Sequence, residues 1–253
     1  MIGRTLFAAL LAGLAAGLVM SVVQQWRVVP LIIAAEQFEG GGHDHAAAPQ
    51  AGTASQAGAT EAPAAGAPAA NHDHAGHDHG AGAWAPSGDG ERLVFTLIAN
   101  AGAGVGFALL MAALSLILNV PVTPANGFLW GLAGFSVFML APAVGLPPEL
   151  PGMPAADLFE RQVWWWATAA LTALGIGLMA LAKPWALKLA GIALIAAPHL
   201  WGAPPIADMD SAVPAALATA FAANALATGI VFWLTLGVAL GLIGARMTQE
   251  ETA

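Results

Sequence analysis

The chain has 253 residues, of which 58% are hydrophobic and 9% charged, against about a quarter charged in an ordinary soluble domain. Seven Lys and Arg against fifteen Asp and Glu give a formal net charge of -8; this excludes a nucleic-acid binder, because phosphate contact demands a dense basic surface. Cysteine is absent, so any metal must be held through nitrogen and oxygen, without thiolate sites or a disulfide framework.

Taken in chain order, these residues predict an all-α integral membrane protein, a bundle of about six transmembrane helices with one long flexible His-rich extracytoplasmic loop. The first apolar run reaches from Thr5 to about Ala35, so residues 1–35 form the first membrane helix, interrupted by Gln24, Gln25, Trp26, Arg27 and Pro30. A hydrocarbon core takes roughly 20 apolar residues to cross, whereas a secretory signal has an apolar stretch of about 7 to 15. The run is therefore read as a retained helix, with cleavage after Ala34-Ala35 as the alternative.

Residues 36–91 are low in complexity and carry no apolar period of 3.6 or 2, so no face can offset the entropy of ordering the backbone. Within them stand three His-Asp-His triplets, His43-Asp44-His45, His72-Asp73-His74 and His77-Asp78-His79, which hold six of the seven histidines of the chain. Neutral imidazole suits Zn, Cu, Ni and Co, and a carboxylate between two rings is either a ligand or the acceptor that orients them. The six histidines, with Asp44, Asp73 and Asp78, are therefore candidate ligands for a divalent transition metal. Mere solubility would be served equally well by Ser, Lys or Glu.

Further spans follow at about 92–118, 126–143, 163–182, 185–201 and 214–244, with a tail at 247–253. The run from Trp185 to Trp201 is the shortest and carries Lys188. Between the third and fourth spans, Pro142, Pro147, Pro148, Pro151 and Pro154 forbid a continuous helix and imply a structured turn. Gly13/Gly17, Gly102/Gly106, Gly127/Gly131 and Gly237/Gly241 repeat at four-residue spacing, which lets helix backbones approach closely in lipid. With a cytoplasmic N-terminus and six passes, Arg4, Lys183, Lys188 and Arg246 fall inside, as the positive-inside rule asks. The C-terminus is then also cytoplasmic, and all seven histidines lie outside.

The polar inventory near the membrane is short. His199 follows Pro198 at the end of the fifth span, and Glu149 is the one acid in an apolar proline-framed turn. Both are candidates for a metal-attracting mouth; for Glu149 the competing role is pairing with Arg161 or Arg92. Asn100, Gln24 and Gln25 read as interhelical hydrogen-bonding groups, and Arg27 as a side chain snorkelling to the interface. Trp164-Trp165-Trp166, Trp84 and Trp201 read as an aromatic belt. No phosphate loop, Gly-x-Ser-x-Gly or His-Glu-x-x-His occurs, so no enzyme activity and no permanently bound cofactor are expected.

Several of these stretches together resemble the CbtA family of predicted cobalt transporter subunits. They are Trp84-Ala85-Pro86, Asp89-Gly90-Glu91-Arg92, Gly145-Leu146-Pro147-Pro148-Glu149-Leu150-Pro151-Gly152, Arg161-Gln162-Val163-Trp164-Trp165, Pro198-His199 and Gly202-Ala203-Pro204. The resemblance covers nearly the whole chain outside the low-complexity loop. It implies a bacterial inner-membrane protein serving cobalt uptake for cobalamin synthesis, with about five spans. It also implies a small CbtB-like partner with one span and a His-rich end. The residues themselves choose a divalent metal but not among cobalt, nickel and zinc. They also leave open a metal-binding receptor or assembly subunit whose pore belongs to a partner.

Overall fold

The computed structural model describes residues 2–39, 88–207 and 210–249, and among these every regular element is helical. They are α1 (Ile2–Arg27), α2 (Val29–Glu39), α3 (Asp89–Ile117), α4 (Gly127–Phe135), a π turn (Ser136–Leu140), α5 (Ala141–Gly145), α6 (Leu158–Leu181), α7 (Trp185–Trp201) and α8 (Ala215–Gln249). The all-helical membrane bundle expected from composition is thus the observed architecture.

Helix boundaries follow from local chemistry. Pro30 has no N–H to offer the Trp26 carbonyl, and its ring would press on that oxygen, so the first long helix breaks at Val28 into α1 and α2. Asp157 caps α6, its carboxylate accepting from the Glu160 N–H at 3.0 Å. Gly202, with φ of 94°, takes the chain out of α7 in a conformation few other residues adopt. Pro142 cannot donate to the Phe138 carbonyl, and the helix widens just before it: the Ala141 N–H reaches back five residues to the Ser136 carbonyl.

Five segments are long and apolar enough to cross a membrane: Gly3–Arg27, Gly90–Ile117, Gly127–Gly145, Leu158–Leu181 and Ala215–Met247. The sixth apolar run, α7, has 17 residues and, at about 1.5 Å per residue, falls a little short of a hydrocarbon core of roughly 30 Å. It nonetheless completes a pass through the bundle. Arg4 at the start of α1 makes a weak 3.4 Å contact to the Met247 carbonyl near the end of α8, and Arg27 Nε donates to Asn224 Oδ1 at 3.1 Å. α1 and α8 are therefore antiparallel, and both ends of the described chain lie at one end of the bundle, which requires an even number of passes.

Four passes form a tight body. α1 lies on α3 and α8, and α4 lies on α8. A Cβ at Gly13, Gly17 or Gly104 would strike backbone of the facing helix in the α1–α3 pair, and Gly127, Gly131 and Gly237 do the same between α4 and α8. Close approach through glycine is the packing that lipid favours, since lipid supplies no hydrophobic drive between helices. Gly102 and Gly106 differ from expectation: a Cβ on either would meet no neighbour within 4 Å, and Gly104 makes the contact instead. At the centre Phe107, Phe138, Phe232 and Trp233 interlock, with Phe138 stacked on Trp233 at 5.5 Å. Asn100 Nδ2 donates to Ser21 Oγ at 3.0 Å and Gln24 Oε1 at 2.6 Å, so Asn100 and Gln24 do join helices as their type predicts.

The remaining passes, α6 and α7, form an antiparallel hairpin closed by the mutual approach of Gly175 and Gly191. This hairpin packs on the body through the π turn and α5.

Candidate functional site

The proline-rich linker between α5 and α6 is held in place from both sides. Leu150 is buried with Ala35 of α2 and Val213 before α8, and its N–H donates to Met153 Sδ at 3.3 Å. Gly152 turns the chain with φ of 77°. This fixes Glu149, whose Oε2 accepts from Arg161 Nη2 at 2.8 Å, with side-chain exposures of 16% and 30%. Of the two pairings open to Glu149, Arg161 is the one made; Arg92 bonds Glu36 at 2.8 Å instead. The ion pair opens on a cleft of about 390 Å³ lined by Arg161, Gln162, Trp165, Met139 and Pro142 among others.

His199 stands in the last turn of α7 at the same end of the bundle. Its ring meets Trp164 edge to face, with centroids 6.0 Å apart, and its Nδ1 is enclosed with no hydrogen-bond partner. Trp164 is 8% exposed and wedged against Gly145 and Ala203, where an added Cβ on Gly145 would come within 2.5 Å of the indole. The belt expected of the three tryptophans is therefore divided. Trp166 and Trp201 are 64% and 90% exposed, whereas Trp164 turns inward. Successive residues on a helix point about 100° apart, so a run of three cannot all face lipid.

Glu149 and His199 thus share one end of the bundle but have separate surroundings: Glu149 is engaged by Arg161 on the cleft, and His199 lies against Trp164. Among the described residues no three His, Cys, Asp or Glu side chains converge as a ready-made metal cage. The other predicted ligands, His43, Asp44, His45, His72, Asp73, His74, His77, Asp78 and His79, lie outside the described residues, as does Trp84. The residues that flank that segment are placed, however. Glu36 of α2 pairs with Arg92 of α3, and Ala35 packs on the linker that carries Glu149, so α2 and the start of α3 sit at the Glu149 end.

Two polar residues went unremarked in the sequence: Thr168 and Thr172, which are 0% and 2% exposed. Their hydroxyls lack a partner, as does Trp164 Nε1. The signal was present as a stripe, Trp164, Thr168, Thr172 and Gly175, recurring every three or four residues along an otherwise apolar helix.

Residues 2–244 match the family model described as "Probable cobalt transporter subunit (CbtA)". The chain belongs to the CbtA family. Membership agrees with the helical membrane bundle, makes cobalt the transported substrate that the family description supports, and suggests a transporter component rather than an enzyme. The word subunit implies a partner in a complex. Neither the proteins of curated function nor the solved structures give a significant match.

Proposed function

We propose that this CbtA chain takes up a divalent transition metal, cobalt, across the bacterial inner membrane, with the His-Asp-His loop capturing the ion outside and Glu149 and His199 forming the mouth that receives it. The observation that carries the reading is the common location of three things: the helix ends flanking the His-rich segment, the Glu149–Arg161 pair and His199. A tether anchored beside the mouth raises the local ion concentration there without defining a path itself.

Orientation follows the basic residues. Arg4 and Arg246 lie at the opposite end, where the α6–α7 turn also brings Lys183, so that end is cytoplasmic and both termini with it. Arg161 neutralises Glu149 at rest; an arriving cation replaces it as the carboxylate's partner. Nothing in imidazole and carboxylate chemistry selects cobalt over copper or nickel, so the choice of cobalt rests on the family. The partner is a small single-span, His-rich subunit of the CbtB type.

Purified full-length protein in liposomes tests this. Cobalt is expected to enter with this chain alone, and Glu149→Ala and His199→Ala each to abolish entry at every external concentration. No entry until a second subunit is added would make the chain a metal-binding receptor or assembly subunit. Preferred entry of nickel or zinc would reassign the cargo, and unchanged entry in both variants would remove the mouth.

A further inference from the structure

The stripe on α6 departs from the way this chain treats six other helical hydroxyls. Ser21, Thr96, Ser136, Thr219, Thr228 and Thr235 each donate to the carbonyl four residues earlier, at 2.7 to 2.9 Å. Such a bond is available to any Thr in a helix through one of its two favoured rotamers. Thr168 and Thr172 do not make it, although both are buried and without another partner. Leaving a buried hydroxyl unpaired is costly, so two of them one turn apart on the same helix point to a partner from outside the protein.

The stripe faces α7. At one end Trp164 meets His199, and at the other Gly175 meets Gly191 and Ile195. Thr168 and Thr172 lie between, one and two turns below Trp164. The seam is thus covered at the Glu149 end by the Trp164 indole, wedged against Gly145, and floored by the Gly175–Gly191 backbone approach. Proline interrupts the helix ladder on both neighbouring elements: Pro198 has no N–H for the Leu194 carbonyl, and Pro142 none for the Phe138 carbonyl. Interrupted helices are tolerated at membrane depth where they are buried in protein, as Pro142 and Pro198 are, or line a water-filled cavity.

The donor set names the occupant. Trp164 Nε1 only donates, and a threonine hydroxyl both donates and accepts, so a bare cation cannot satisfy the group. Water can, by accepting from the indole and exchanging bonds with the hydroxyls and His199 Nδ1. We propose that the α6–α7 seam is a hydrated inlet that admits a divalent cation still carrying part of its water shell, with Thr168 and Thr172 contacting that shell. The proposal rests on the transport reading above and extends it inward from the mouth.

The chain has no cysteine, so single Thr168→Cys and Thr172→Cys variants of the full-length protein in proteoliposomes give a direct readout with a small, water-soluble methanethiosulfonate. Ala169→Cys is the control of equal burial off the stripe, and Leu174→Cys the exposed apolar one; Ala169 is 3% and Leu174 55% exposed. Both threonine positions are expected to label at least about tenfold faster than either control, because a thiolate needs water to form. Millimolar cobalt is expected to slow that labelling severalfold, and equimolar magnesium, which dehydrates reluctantly, to slow it less. Thr168→Val/Thr172→Val, which offers cobalt no thiol, is expected to fold normally and to lower initial uptake severalfold at saturating cobalt. Labelling no faster than Ala169→Cys, labelling indifferent to cobalt, or unimpaired uptake by the valine pair would each overturn the inlet. Uptake by the unsubstituted protein separates the two levels: if it carries no cobalt the transport reading fails, and if it does while the threonine positions stay unlabelled the inlet alone fails.

Discussion

The four-pass body and the α6–α7 hairpin use the same building materials to opposite ends. In the body, glycine brings backbones together, and the buried polar groups Asn100, Ser21 and Thr228 all have hydrogen-bond partners. In the hairpin, buried Trp164, Thr168 and Thr172 are left without them, and two proline-interrupted elements lie beside them. A satisfied polar group in a membrane bundle fixes geometry, whereas a buried one without a partner is costly to leave so. On the inlet proposed above, the difference separates scaffold from pathway within a single chain.

The comparison breaks most readily in the body. Gly237→Leu drives a side chain into the Gly127 carbonyl and the Gly131 backbone; it is expected to cost about 3 kcal/mol or more, read as loss of monodisperse protein or a large fall in thermal stability in detergent. Gly106→Leu, whose Cβ meets nothing within 4 Å on an exposed face, is expected to change stability by no more than about 0.5 kcal/mol. Equal effects of the two would show that glycine spacing, not the contact, governs packing. Next in size, Asn100→Leu removes the bonds to Ser21 and Gln24 and is expected to cost about 1–2 kcal/mol. Thermal unfolding beside the Thr168→Val/Thr172→Val pair sharpens the contrast, since loss of those hydroxyls breaks no protein bond and should leave stability within about 1 kcal/mol. The smallest expected effect is on the tether. Changing His43, His45, His72, His74, His77 and His79 together to Ala is expected to weaken cobalt accumulation at low external metal and leave it near normal at high metal. Failure at all concentrations would make the loop part of the path rather than a concentrator.

The outline of the fold was legible because long apolar runs and proline punctuation are direct consequences of lipid as solvent. The break at Pro30 fell inside the first predicted run, and the pairing of Glu149 with Arg161 was one of two that charge allowed. What could not be read was direction around each helix. Gly102 and Gly106 have the same spacing as Gly13 and Gly17 yet face away from every neighbour, and Trp164 looks like Trp166 until a partner helix claims it. Hydrophobicity does not distinguish lipid from protein interior, so in an apolar helix periodicity carries little information about which face is buried. The polar stripe of Trp164, Thr168 and Thr172 was the exception that a search for period rather than for charged residues would have found.

The meeting of Arg4 with Met247 also bears on how the protein is made. α1 packs against α8, more than 180 residues later in the chain, and α4 waits for the same partner. Until α8 is synthesised, the glycine faces of α4 have nothing to close upon, so an unfinished chain exposes the very surfaces that define the finished one. Completion of the body therefore depends on α8, and a chain that stops before residue 215 is expected to leave those glycine faces uncovered.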